Sequence, residues 1–161
     1  GGVEQAEEWQ YTYKSLGKYN NIQNSFKNEV LKLSKNNKII LVYPIPEVGW
    51  DPNKEIFNQW LRRNNKFSRG FEIKENVTTS YDVYKNRAQL SFTMLDSITG
   101  NNIFRVYPHQ IFCDNVIDNR CVTHDNENIF YADDDHPSLK GAKKINDLII
   151  KKIEAIGLNS N

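Results

Sequence analysis

The stretch Tyr131–Ala142, YADDDHPSLKGA, sets three aspartates and a histidine in four consecutive positions and then opens what reads as a helix. Three chemistries fit such a cluster. The first is a solvated, acid-rich cap, because acidic side chains complement the positive end of a helix and Ser138 is a good N-cap. The second is a divalent-cation loop built from Asp133, Asp134 and Asp135. Three adjacent carboxylates converge poorly on one ion, however, and calcium loops alternate their ligands. The third is a pair, Asp133-x-x-His136. A carboxylate three residues before an imidazole, in a tight turn, reaches Nδ1, fixes the tautomer and leaves Nε2 to take a proton from a hydroxyl. Ser138 lies beyond the histidine at the helix start and is badly placed to be that hydroxyl. On spacing alone the three readings stay open.

Other residues offer less. His109 follows Val-Tyr-Pro at a strand end but has no local carboxylate, and His124 stands beside Asp125 just after a cysteine loop. Glu47, Trp50 and Asp51 fall on the loop after an expected strand, where ligands gather in α/β sheets. An ordinary surface loop is the competing reading there. Cys113 and Cys121 enclose the polar run DNVIDNR. That run suits a small disulfide loop in an oxidising compartment, two free thiols being the alternative. Two cysteines at this spacing do not make a structural zinc site.

These residues need a scaffold. Ile22, Phe26, Val30 and Leu33 repeat at helical spacing and predict an amphipathic helix ending at Asn36-Asn37. IILV follows, stopped by Pro44 and Pro46, and predicts a buried strand. Residues 52–64 predict a short helix with Ile56, Trp60 and Leu61 facing inward, and 67–76 a loop. A longer helix is expected over 78–98, N-capped by Thr79 or Ser80, with Val83, Leu90, Met94 and Ile98 on its apolar face. NNIFRVYP predicts a second strand. Leu139, Ala142, Ile145, Leu148, Ile149, Ile153 and Ile156 then trace a helix stopped at Gly157. Residues 1–20 read as an irregular approach segment. Helix, buried strand and loop in this order predict an α/β domain. Two strands are few, since such sheets usually hold about five or six.

The 161 residues carry a net charge of +1 with both signs interspersed, so nucleic acid is not an expected partner. No apolar run approaches the ~18 residues of a membrane span, and GGVEQAEEW has no leader pattern.

The quoted blocks resemble a family. YADDDHPSLKGA is similar to the last block of the SGNH (GDSL-like) hydrolases, in which an Asp-x-x-His pair opens the C-terminal helix. More closely, PIPE at residues 44–47, the Cys113 and Cys121 pair and the D-D-D-H-x-S-x-x-G-A run resemble the extracytoplasmic SGNH domain fused to membrane acyltransferase-3 proteins. The resemblance implies a three-layer α/β/α, flavodoxin-like fold with a parallel sheet, of which residues 1–161 would be the C-terminal portion. It implies Asp133 and His136 as acid and base of a Ser-His-Asp triad, and Cys113 bonded to Cys121. The family's Gly-Asp-Ser nucleophile block does not occur here, and is expected upstream of Gly1. Pro137 departs from the leucine common in the fused branch. The implied activity is transfer of an acetyl group from an acyl donor to an envelope glycan, without metal or organic cofactor. The implied setting is the periplasmic or extracellular face, tethered through a membrane acyltransferase domain of the same parent protein. A non-catalytic glycan-binding or scaffolding module on the same fold is the alternative.

Overall fold

The structure is a computed structural model that describes residues 19–63 and 77–157. Most of the approach segment and the loop expected over 67–76 lie outside the described residues. The elements run α1 (Tyr19–Leu33), β1 (Ile39–Val42), α2 (Pro52–Arg63), β2 (Thr78–Ser80), α3 (Tyr81–Asp96), β3 (Ile103–Val106), α4 (His109–Phe112), β4 (Arg120–Val122) and α5 (Leu139–Ala155). Among the described residues the strands form two small sheets.

β1 and β3 pair in parallel, with Ile39 opposite Ile103 and Val42 opposite Val106. β2 and β4 pair antiparallel, Thr79 facing Cys121. Helices together with a parallel pair make the domain α/β, as expected from the strand-stopping prolines and the helix–strand alternation. The register of β1 is extended by the Ile39 amide on Asn102 and the Tyr43 amide on Val106. Pro44 has no N–H to continue it.

The core forms around both sheets. Val30, Leu41, Tyr43, Leu95, Ile98 and Ile103 make one cluster. Val48, Phe112, Cys113, Cys121, Phe130, Tyr131 and Ile145 make a second, and this one lies under the acid–histidine segment. The expected disulfide is present: Cys113 and Cys121 are bonded at 2.02 Å and both are buried in that second cluster.

Several expectations about faces need correction. α1 forms, but Ile22, Phe26 and Leu33 are 64%, 43% and 54% exposed, and only Val30 enters the core. Periodicity marks the apolar stripe; cover for it depends on what packs there. On α3 the buried positions are Tyr84, Ala88 and Leu95; of the expected face, Met94 packs against the core and Ile98, just past the helix, is fully buried, whereas Leu90 is exposed. Tyr84 is buried because its hydroxyl finds the Pro44 carbonyl at 2.7 Å, which removes the cost of burying a polar tip. Leu61 points outward on α2, and Leu139, at the first position of α5, is exposed. Ser80 is the N-cap of α3, accepting from the Val83 amide, while Thr79 belongs to β2.

Candidate active site

The loop that leaves β1 is held at each step by a different element. Tyr84 on α3 donates to the Pro44 carbonyl. The buried hydroxyl of Tyr131 donates to the Pro46 carbonyl at 2.8 Å. Burial raises the Tyr131 pKa, so this group remains a donor. Next, the Val48 and Gly49 amides both donate to the Asp134 carbonyl, at 2.7 and 3.3 Å. Gly49 sits at φ 76°, in the left-handed region where a Cβ is disfavoured. The carboxyl end of β1 and the DDDH segment are thereby one unit.

The DDDH segment is itself a tight turn. Asp133 Oδ1 accepts the His136 amide at 2.7 Å and the Asp135 amide at 3.1 Å. The Ala132 amide closes the turn on the His136 carbonyl at 2.8 Å. Within it, the Asp133 carboxylate oxygens stand 3.0 and 3.1 Å from His136 Nδ1. Asp135 Oδ1 also approaches Nδ1, at 2.8 Å. Asp135 is exposed, yet the turn also folds its carboxylate back towards the imidazole. Asp134 contributes its carbonyl to the loop contacts, and its side chain is exposed. Nε2 of His136 has no hydrogen-bond partner among the described residues, and the side chain is 72% exposed.

Electrostatics follow from this geometry. The His136 and Asp135 amides, reinforced by the imidazole, hold the Asp133 carboxyl down at about 2. The hydrogen bond that Nδ1–H donates to Asp133, with the charges of Asp133 and Asp135, raises His136 above its ordinary value. Asp135 is raised, first by partial loss of solvent and then by the charges of Asp134 and Asp133, against the attraction of His136. Such a pair can orient one imidazole tautomer and stabilise the imidazolium formed when Nε2 takes a proton. Asp133, Asp135 and His136 also bring ligand atoms within 4.8 Å of one another. Their donor set is small and open to water, and Asp133 Oδ1 is already engaged by the turn.

Behind the turn, Ser138 N-caps α5, its Oγ accepting from the Lys140 and Gly141 amides at 3.2 Å. Its hydroxyl hydrogen goes to the Ile129 carbonyl at 2.6 Å, so Ser138 is a structural serine. Gly141 lets α5 pass directly over Phe130: a Cβ there would stand 2.0 Å from the Phe130 carbonyl oxygen.

Glu47 pairs with Arg87 of α3, Oε2 lying 2.5 Å from Nη2 and 3.1 Å from Nε. Trp50 is half-buried and packs against both the Val48–Tyr131 cluster and the Ile56–Val77 pair, with its indole nitrogen buried. Both flank Val48 and Gly49, the residues that grip Asp134. His109 is enclosed by the rings of Tyr84, Phe92 and Tyr107 at 5.4–5.8 Å, and burial lowers its pKa. His124 bridges the Asp125 carbonyl through Nδ1 and the Val77 amide through Nε2, a bracing role. Among the described serines, none hydrogen-bonds to His136. Asn53, which donates to the Tyr131 and Ala132 carbonyls, left no signal in the sequence.

No curated protein and no solved structure matches the chain. A family model described as "SGNH domain (fused to AT3 domains)" matches residues 3–151. That span covers the β1 loop, the disulfide, the acid–histidine turn and most of α5, and the chain belongs to this family of hydrolase- and acyltransferase-like modules.

Proposed function

We propose that this chain supplies the acid and base of a serine-type acyl-transfer site, acting in a membrane O-acyltransferase that acetylates a hydroxyl of a cell-envelope polysaccharide. The observation that carries this reading is the Asp133 carboxylate 3.0 Å from His136 Nδ1, in a turn bonded to the loop at the carboxyl end of β1. Fusion to AT3 domains within the family supports a membrane acyltransferase as the partner and an extracytoplasmic setting. Among the described residues no helix is long and apolar enough to cross a membrane, so the tether would lie in that partner domain.

The nucleophile is a serine outside this chain. Its Oγ–H proton passes to His136 Nε2 as Oγ bonds to the acyl carbonyl carbon. The bond to the leaving oxygen then breaks, and that oxygen takes the proton from Nε2. A glycan hydroxyl repeats the sequence: its proton goes to Nε2, its oxygen takes the acyl group, and Oγ recovers the proton. Asp133 fixes the ring and supports its charge in both halves.

The test is acetyl transfer by the full-length parent with His136→Ala. Turnover should fall by ~10²–10⁴-fold, the usual worth of general acid–base catalysis. Undiminished transfer would point to a glycan-binding or scaffolding module. The isolated 161-residue chain, which has no Gly-Asp-Ser tripeptide, should hydrolyse an activated acetyl ester at the background rate.

A further inference from the structure

Resting on the acyl-transfer reading above, we propose that Asn53 is a positioning residue, whose carboxamide sets the direction from which Asp133 meets His136. Asn53 Nδ2 donates to two successive carbonyls, Ala132 at 2.8 Å and Tyr131 at 3.2 Å. One amide nitrogen carries two hydrogens, so both contacts are satisfied at once. The Ala132 carbonyl shares a rigid plane with the Asp133 amide. Holding that oxygen therefore fixes the peptide plane from which the Asp133 side chain departs.

The opposite side of Asp133 is held independently. Val48 and Gly49 grip the Asp134 carbonyl, in the plane that leads into Asp135. Asp133 is thus bracketed between two clamps. The second is backbone only and no side-chain replacement removes it, whereas the first depends on a single carboxamide.

The platform behind Asn53 is firm. It is the second residue of α2, after Pro52, which is buried and pre-set for a first helical turn. Asp51 caps the same turn by accepting the Lys54 amide at 3.1 Å, and Ile56, 2% exposed, pins the helix to the core. A side chain on a packed helix holds a site more tightly than one on a loop. The contact spans 79 residues of sequence, so it fastens two separate segments at the point where an imidazole must be aimed.

The test uses the full-length parent and three readouts: turnover against pH, melting temperature, and the His136 ring titration by NMR. Asn53→Ala should lower kcat by about tenfold or more, since misplacement by ~1 Å can cost ~10²-fold. The acid limb of kcat/KM and the His136 titration should both move down towards those of Asp133→Asn, with the melting temperature nearly unchanged. Asn53→Gln, which keeps an amide donor, should recover part of the loss. Asn53→Asp, of equal size but without the donor, should not. Wild-type turnover and titration in Asn53→Ala would overturn the proposal. So would a loss that follows lowered melting equally in all three variants, which makes Asn53 merely structural. If His136→Ala retains full transfer, the acyl-transfer reading falls. The ring titration then still decides whether Asn53 aims the pair.

Discussion

The Val48 amide donates to the Asp134 carbonyl at 2.7 Å, joining two loops 86 residues apart. Through that bond the carboxyl end of β1 and the acid–histidine turn keep one geometry. The consequences for each aspartate differ, and they can be measured separately.

Asp133→Asn should reduce turnover of the full-length protein sharply, approaching the ~10⁴-fold loss known when a triad acid becomes an amide. Asp134→Asn should do little, because Asp134 acts through its backbone. Asp135→Asn should give an intermediate effect, through its 2.8 Å approach to Nδ1. Equal, small effects at all three positions would make the segment a plain helix cap.

The acid limb of the pH–rate profile should lie above 6.5, the ordinary imidazole value, because Asp133 and then Asp135 raise His136. The sign follows from the role. A general base must be neutral, and a raised pKa keeps the ring protonated to higher pH, so activity is lost as pH falls through that raised value. Removing either carboxylate should shift the limb downward, Asp133 more than Asp135. An unmoved limb in Asp133→Asn would sink this assignment.

Gly141→Ala should destabilise the protein although alanine is the better helix former. The added Cβ would meet the Phe130 carbonyl at 2.0 Å, and backbone cannot step aside as a flexible side chain would. Overpacking of this kind costs about 1–3 kcal/mol, against roughly 1 kcal/mol gained in propensity. Thermal unfolding should show a drop of several degrees; an unchanged midpoint would refute the close approach.

Cys113→Ser with Cys121→Ser should lower stability by about 2–3 kcal/mol, the chain-entropy value for so short a loop. Thiol titration of the denatured, unreduced protein should find no free cysteine. Because both sulfurs sit in the cluster with Tyr131 and Val48, the double variant should also weaken the acid–histidine turn. Two titratable thiols in protein made under oxidising conditions would contradict the bridge.

What the sequence disclosed follows from how local each feature is. The Asp133–His136 contact spans three residues, and the Ser80 and Ser138 caps span two or three, so spacing brought each into view, although for the pair it left the cap and cation-loop readings open beside it. The long elements with continuous patterns were equally visible. β2, β4 and α4 are three or four residues each, too short for any period to show. Thr78–Ser80 also imitates a helix cap, so the pattern places β2 inside the helix expected over 78–98. Asn53 was invisible for a different reason. Its partners are main-chain carbonyls far along the chain, and every residue has one.

Asp133 has a property that the pairing with His136 does not exhaust. Two backbone N–H groups hold its Oδ1 whether or not the imidazole is in place. Without the ring, Oδ1 would therefore keep both of its amide partners, and only Oδ2 would turn to water. On the acyl-transfer reading proposed above, the acid would thus be a fixed post, to which the imidazole could return after each proton transfer.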